Sequence, residues 1–188
     1  MSLFTTSSQT VGPYVRIGFE QNRIEELAPP GVAGERITLT GTVTDGDGKP
    51  VNDAVVEIWQ ANAAGKYAHP EDAQDKPIDA SFRGFGRSLT DANGAFRFAT
   101  IKPGRVPGPD GSLQAPHVAV TVFMRGLLKQ LVTRVYFPDD PANAEDFVLR
   151  LVPAERRATL VAQRGGAKSG YEWNIRLQGR DETVFFDY

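Results

Sequence analysis

Strict alternation of apolar with polar or small side chains runs through Ile37-Thr38-Leu39-Thr40-Gly41-Thr42-Val43-Thr44. A period of two residues is that of a half-buried β-strand, because successive side chains of a strand point to opposite faces. The turn-forming residues Asp45-Gly46-Asp47-Gly48 follow, and Val55-Val56-Glu57-Ile58-Trp59 then has the composition of a second strand. We predict the order strand, turn, strand for this stretch.

The same arrangement recurs further along the chain. Leu89-Thr90 leads into Asp91-Ala92-Asn93-Gly94, after which Phe96-Arg97-Phe98 alternates. The Asn-Gly pair supplies the positive φ of a tight hairpin turn. Further strands are predicted at residues 117–123, 131–137 and 171–177.

One segment has the features of a helix. Residues 153–162 begin with proline, which the first turn of a helix allows, and two glycines follow at 165–166. A single helix among about seven strands predicts an all-β fold, a β-sandwich with one or two short helices. Residues 1–34 are predicted to form an N-terminal arm, residues 35–188 the sandwich domain, and residues 69–85 a long loop within it.

Composition limits the chemistry that the chain can perform. It has 188 residues, enough for one domain with a sizeable core, and a formal net charge of -2 that is spread along its length. We therefore predict no nucleic-acid and no membrane partner. The absence of cysteine excludes disulfides, thiolate nucleophiles and sulfur-based metal sites. The N-terminus lacks the features of a signal peptide, and we expect a cytoplasmic protein.

Two histidines are the candidate imidazole ligands. His69 lies in a polar loop, where a solvated side chain is the simpler interpretation. His117 opens a predicted strand, but position 119 is Ala, so only half of a His-x-His pair is present on that face. No Gly-x-Ser-x-Gly elbow, Walker loop or Gly-x-Gly-x-x-Gly sequence occurs. The pair Asp139-Asp140 is typical of turns and helix caps.

Several unusual strings occur in a fixed order. They are Thr10-Val11-Gly12-Pro13-Tyr14, Val56-Glu57-Ile58-Trp59-Gln60-Ala61-Asn62-Ala63-Ala64-Gly65-Lys66-Tyr67, Phe85-Gly86-Arg87, Thr90-Asp91, Thr100-Ile101-Lys102-Pro103-Gly104, Ala115-Pro116-His117, Gly170-Tyr171 and Ile175-Arg176-Leu177-Gln178-Gly179. As an ordered set they strongly resemble the intradiol ring-cleavage dioxygenases, over essentially the whole chain.

The resemblance implies a heteromeric enzyme in which an α and a β chain share one β-sandwich fold. In such an enzyme the homologous β chain binds the cofactor, Fe(III), through two tyrosines and two histidines. Here Tyr67 and His117 match two of those positions, whereas Val106 and Ala119 occupy the other two. Gln114 replaces an arginine of the same motif. We therefore expect no metal in this chain, and we expect Tyr67 and His117 to be hydrogen-bonded in a filled pocket.

The resemblance also places the functional residues of an α chain elsewhere. The N-terminal arm, residues 1–34, is expected to contact the partner chain, and its Thr10, Gly12, Pro13 and Tyr14 are the expected substrate-binding wall of the partner's site. Arg125 is expected to be both substrate-binding and catalytic, and the plainer alternative for it is an ion pair.

The expected reaction is intradiol cleavage of a small aromatic acid, 3,4-dihydroxybenzoate, by O2 to 3-carboxy-cis,cis-muconate. Two alternatives remain open at this point. One is a non-catalytic β-sandwich binding module, and the other is a homomeric intradiol dioxygenase with unusual ligands, such as His69.

Overall fold

The computed structural model describes residues 5–167 and 169–187, and these form two β-sheets packed face to face. The strands are β1 Arg36–Thr44, β2 Val55–Trp59, β3 Phe85–Leu89, β4 Ala95–Ile101, β5 His117–Phe123, β6 Leu131–Tyr136, β7 Gln163–Arg164, β8 Gly170–Glu172 and β9 Ile175–Arg176. The predicted β-sandwich is confirmed.

The two sheets differ in how their strands pair. The first has the order β4-β1-β8-β7, with β9 also pairing with β1, and its β1–β8 and β1–β9 pairs are parallel. The second has the order β3-β2-β5-β6 and is antiparallel throughout. Alternate residues of both sheets face one core, as Leu39 and Phe98 do from the first and Ile58 and Val120 from the second.

The two predicted strand–turn–strand units are not hairpins. Residues 45–54 carry the chain from β1 in the first sheet to β2 in the second, and residues 90–94 carry it back from β3 to β4. The turn chemistry itself is as predicted, because Gly94 has a φ of 72° and the Asp91 carboxylate accepts hydrogen bonds from the backbone of Asn93 and Ala95. Each of these connections joins two strands that cover the core from opposite sides. The two strands therefore belong to different sheets.

Two short α-helices lie outside the sheets, α1 at Pro13–Phe19 and α2 at Phe147–Leu151. The segments Pro109–Gly111, Pro141–Ala144 and Ala154–Leu160 form 3₁₀ helices. The last of these stands where a helix of residues 153–162 was predicted. Its only buried side chain is that of Leu160, so no apolar stripe exists to favour the α-helical period over 3₁₀ turns.

The predicted strand of residues 171–177 is interrupted at Trp173 and Asn174. The Trp173 N–H donates to the Thr40 carbonyl over 2.8 Å, and the Asn174 side-chain oxygen accepts from the Thr42 N–H over 2.9 Å. A side-chain hydrogen bond therefore replaces one backbone hydrogen bond in the pairing with β1. The strand is divided into β8 and β9 for this reason.

The predicted arm has two parts with different roles. None of the α1 side chains is buried. Residues after α1 instead contact both sheets, since Ile24 forms a β-bridge with Arg87 of β3 and Glu26 forms one with Ala99 of β4. Leu27, Ala28 and Val32 then join the core. That the arm contacts a partner chain stays a prediction.

Within the described residues, no helix combines the length and the apolar character needed to cross a membrane.

Candidate functional site

A cleft of about 650 Å³ opens beside the end of β2, where Trp59 and Tyr67 meet the segment that follows β4. Its lining includes Trp59, Tyr67, His69, Asp72, Val106 and Pro107. The Trp59 and Tyr67 rings are stacked, with centroids 5.9 Å apart and planes inclined by 7°. These two stacked rings form the aromatic wall of the cleft, here called the Trp59–Tyr67 wall.

Hydrogen bonds within the loop after β2 hold Tyr67 in place. The Asn62 side-chain oxygen accepts from the Lys66 N–H over 3.0 Å, and the Lys66 ammonium donates to the Gln74 carbonyl. The Tyr67 N–H donates to the Asp72 carboxylate over 2.8 Å. Each of these hydrogen bonds joins two residues of the same loop. The loop that was predicted at residues 69–85 is therefore held in place where it borders the cleft.

The Tyr67 side chain is half-buried. Burial raises the pKa of its hydroxyl above the ordinary value, and the nearby Arg134 guanidinium only partly offsets this rise in pKa. A neutral phenol is the form present at physiological pH. The hydroxyl has no hydrogen-bond partner among residues 5–167 and 169–187. This differs from the expectation that it would be satisfied in a filled pocket, because the cleft in front of it is open.

His117 lies at the start of β5 and is 5% exposed. Its Nδ1–H donates to the Ala115 carbonyl over 2.8 Å, as expected for a satisfied imidazole. Loss of hydration lowers its pKa to about 4, and the positive charge of Arg134 acts in the same direction. The imidazole is therefore neutral at physiological pH.

The residues of this chain do not fit a ferric ion. Val106 and Ala119, at two of the four positions named from the resemblance, carry no donor atom, and the Val106 side chain is buried. Tyr67 and His117 supply only two donors, too few for a closed site. No group of three or more His, Cys, Asp or Glu side chains that could hold a metal occurs in the part of the chain that the structure describes.

Gln114 stabilises the segment that carries Val106. Its side-chain amide donates to the Pro107 carbonyl over 2.8 Å, and its side-chain oxygen accepts from the Arg134 guanidinium over 2.7 Å. The residue that replaces the motif's arginine therefore has a structural role in the wall of the cleft.

Asp146 was not recognised from the sequence. Its buried carboxylate accepts hydrogen bonds from the Ala115 N–H, the Leu149 N–H and the Tyr136 hydroxyl at 2.8, 2.8 and 2.9 Å. It thereby fixes the residues that lead into His117 and caps α2. The available signal was an aspartate directly before the apolar segment at 147–149, a pattern typical of a helix N-cap.

The predicted substrate-binding residues lie at a second surface. The Thr10 hydroxyl oxygen accepts from the Gly126 N–H over 2.7 Å, which brings the N-terminal segment against the loop of Arg125. Gly12 and Pro13 begin α1, and the Tyr14 side chain is 83% exposed.

Arg125 forms the ion pair that the plainer interpretation predicts. Its Nε lies 2.7 Å from an Asp53 carboxylate oxygen, and its side chain is 65% exposed. Asp53 is a second residue that sequence reasoning missed, because the pairing joins two loops with no motif in common.

The two surfaces lie at opposite ends of β2. Trp59 pairs with Ala119 at the end near the cleft, whereas Val55 pairs with Phe123 at the end near Arg125. Four residue steps along a strand separate these ends by roughly 13 Å. The Thr10–Arg125 surface, which comprises Thr10, Gly12, Pro13, Tyr14 and Arg125, therefore does not form a wall of the cleft in the same chain.

Comparison with known proteins finds relatives of this chain by sequence. A sequence model of a family described as "Dioxygenase" matches residues 13–179. The chain is 45% identical over 201 residues to the protocatechuate 3,4-dioxygenase alpha chain of Burkholderia cepacia, an alignment that covers 99% of this chain and 98% of that protein. It is 44% identical over 158 residues to the beta chain from the same organism, covering 80% of this chain and 67% of that one.

A solved structure shares the fold as well. It is the dioxygenase domain of a dioxygenase–carbohydrate-binding protein fusion from Streptomyces sp. SirexAA-E, which is 26% identical and has a TM-score of 0.60. The match covers 81% of this chain and 84% of that chain.

Proposed function

The chain belongs to this dioxygenase family, and on that premise we propose that it is the metal-free alpha subunit of a heteromeric protocatechuate 3,4-dioxygenase. Its partner is a homologous beta chain, which holds Fe(III). The substrates are a small aromatic acid and O2. The observation that carries the proposal is the loss of two donors, at Val106 and Ala119, from a chain that otherwise keeps the fold of its relatives.

The position of the Thr10–Arg125 surface supports a site shared between two chains. Thr10, Gly12, Pro13 and Tyr14 lie on the outside of the sandwich, and the Tyr14 ring is exposed to whatever packs there. Residues at this surface do not line the cleft of their own chain, but they can contact a ligand that is bound to a neighbouring chain. We assign these residues to the wall of the partner's substrate pocket.

Arg125 has the chemistry to recognise an anionic aromatic acid. A guanidinium presents a fixed fork of donors that suits a carboxylate. Its Nε pairs with Asp53, and at 65% exposure the side chain remains accessible to a second acceptor. In the proposed reaction both atoms of O2 enter 3,4-dihydroxybenzoate as the bond between its two hydroxylated carbons breaks, giving 3-carboxy-cis,cis-muconate. The residues of this chain orient the carboxylate and exclude water. A cytoplasmic location stays a prediction.

The test is co-expression with the beta chain, followed by measurement of iron and activity. We expect both in the complex and neither in this chain alone. Iron and activity in the isolated chain would support a homomeric dioxygenase that uses His69. A complex that lacks both would support a non-catalytic binding module.

A substitution tests the role of Arg125 within the complex. Arg125→Ala should raise KM by about 10- to 100-fold, the loss expected for one charge-assisted contact, with bound iron unchanged. Arg97→Ala is the matched control, because Arg97 is also an exposed arginine paired with a carboxylate, and its kinetics should match those of the wild type. Unaltered kinetics for Arg125→Ala would remove this residue from the site.

A further inference from the structure

The proposed function assigns no role to the cleft beside Tyr67. Its volume of about 650 Å³ nevertheless suits a small organic ligand. Loss of the metal-binding side chains has not closed it, because Val106 is packed into the wall and does not extend across the space.

The wall of the cleft is suited to a flat ring. Trp59 and Tyr67 present stacked aromatic surfaces, and Val106 and Pro107 add apolar surface beside them. One polar group on this wall, the Tyr67 hydroxyl, has no hydrogen-bond partner in the described part of the chain. Since its pKa is raised by burial, it stays protonated and can donate as well as accept a hydrogen bond.

The charges around the cleft disfavour an anion. Glu71 and Asp72 line it, and its described lining contains no lysine or arginine. Two nearby cations have partners of their own, because the Lys66 ammonium donates to the Gln74 carbonyl and the Arg134 guanidinium, whose charge acts on Tyr67, donates to the Gln114 side-chain oxygen. A benzoate would therefore meet two carboxylates in the described lining, with no lysine or arginine among the residues that line it.

We propose that this cleft is a metal-free binding site for an uncharged phenol, whose ring packs on the Trp59–Tyr67 wall and whose hydroxyl bonds to that of Tyr67. The preference of this site in charge is the opposite of that proposed for the Arg125 surface. It takes neutral phenols and rejects aromatic acids.

The test measures binding of 4-fluorophenol and 4-fluorobenzoate to the co-expressed complex by fluorine NMR under argon. A saturating amount of unlabelled 3,4-dihydroxybenzoate keeps the dioxygenase site occupied. We expect saturable binding of the phenol, with the benzoate weaker by roughly fivefold or more. Equal affinities for the two compounds, or no saturable binding of the phenol, would overturn the proposal.

Variants of this chain assign the binding to the cleft. Val106→Phe places a ring in the space and should weaken phenol binding by at least roughly tenfold. Tyr67→Phe keeps the wall and removes only the hydroxyl, so it should weaken binding roughly 2- to 10-fold.

Leu151→Phe adds a ring at an exposed position on α2 and is the control, which should bind as the wild type does. Circular dichroism checks that each variant is folded. Wild-type affinity in both cleft variants would contradict the proposal, and activity of the same complex toward 3,4-dihydroxybenzoate reports separately on the proposed function.

Discussion

The buried His117 makes a quantitative prediction about pH and stability. Its pKa is about 4 in the folded chain against an ordinary value of 6.5. Between these values the unfolded chain binds a proton that the folded chain does not, so stability is complete above pH 6.5 and falls as the pH is lowered toward 4. From pH 7 to pH 5 this one residue should remove about 2 kcal/mol from the free energy of unfolding.

Substitution isolates this effect from that of the acidic residues. His117→Asn keeps a donor for the Ala115 carbonyl but cannot titrate, so its loss of stability from pH 7 to pH 5 should be smaller than that of the wild type by about 2 kcal/mol. Urea unfolding at the two pH values gives the difference. His69 is the only other histidine, and it is exposed, so His69→Asn is the control for removal of an imidazole outside the core.

NMR of the folded complex with labelled histidines checks the same assignment without unfolding. The His117 signal should keep the position of a neutral imidazole down to about pH 5. A His117 signal that titrates with a midpoint near 6.5, or an unchanged pH dependence in His117→Asn, would refute the reasoning from burial.

Four further substitutions test other features of the chain. Asp146→Ala leaves three buried donors without an acceptor and should lower the free energy of unfolding by about 3 to 5 kcal/mol, measured by urea titration. Gly41→Ala directs a methyl group into the Trp173 carbonyl and should cost about 3 kcal/mol or more, whereas Gly12→Ala meets open space and should cost well under 1 kcal/mol. Thr10→Val removes the bond that ties the N-terminal segment to the Arg125 loop, and it should lower kcat/KM of the complex by about 2- to 10-fold without loss of iron.

The long strands were predictable because one face of each is buried, whereas both residues of β7 are exposed and that strand was not predicted. The alternation at residues 117–123 gives β5 with its observed bounds, and that at residues 37–44 gives β1 to within one residue. The pattern states which side chains face the core but not which sheet carries the strand. That is why residues 90–94 were expected to form a hairpin turn and instead connect the two sheets, as residues 45–54 also do. The break at Asn174 depends on a side-chain bond to β1, which no periodicity reveals.

The candidate site was predictable in its chemistry more than in its shape. The missing donors at Val106 and Ala119 are visible in the sequence itself. The open cleft depends on the path of the loop around Tyr67, which is set by the hydrogen bonds of Asn62 and Asp72. The ion pair of Arg125 depends likewise on a loop more than 70 residues away in the chain.

The bridges made by Ile24 and Glu26 have a consequence for the isolated sandwich. They pair with β3 and β4, which stand at the ends of their respective sheets. An uncovered edge strand can pair with strands of other copies of the protein, and this pairing is a common origin of insoluble polymers. A truncation that begins at residue 35 would bare both strands at once, so the shortened protein should precipitate even though most of its core residues remain.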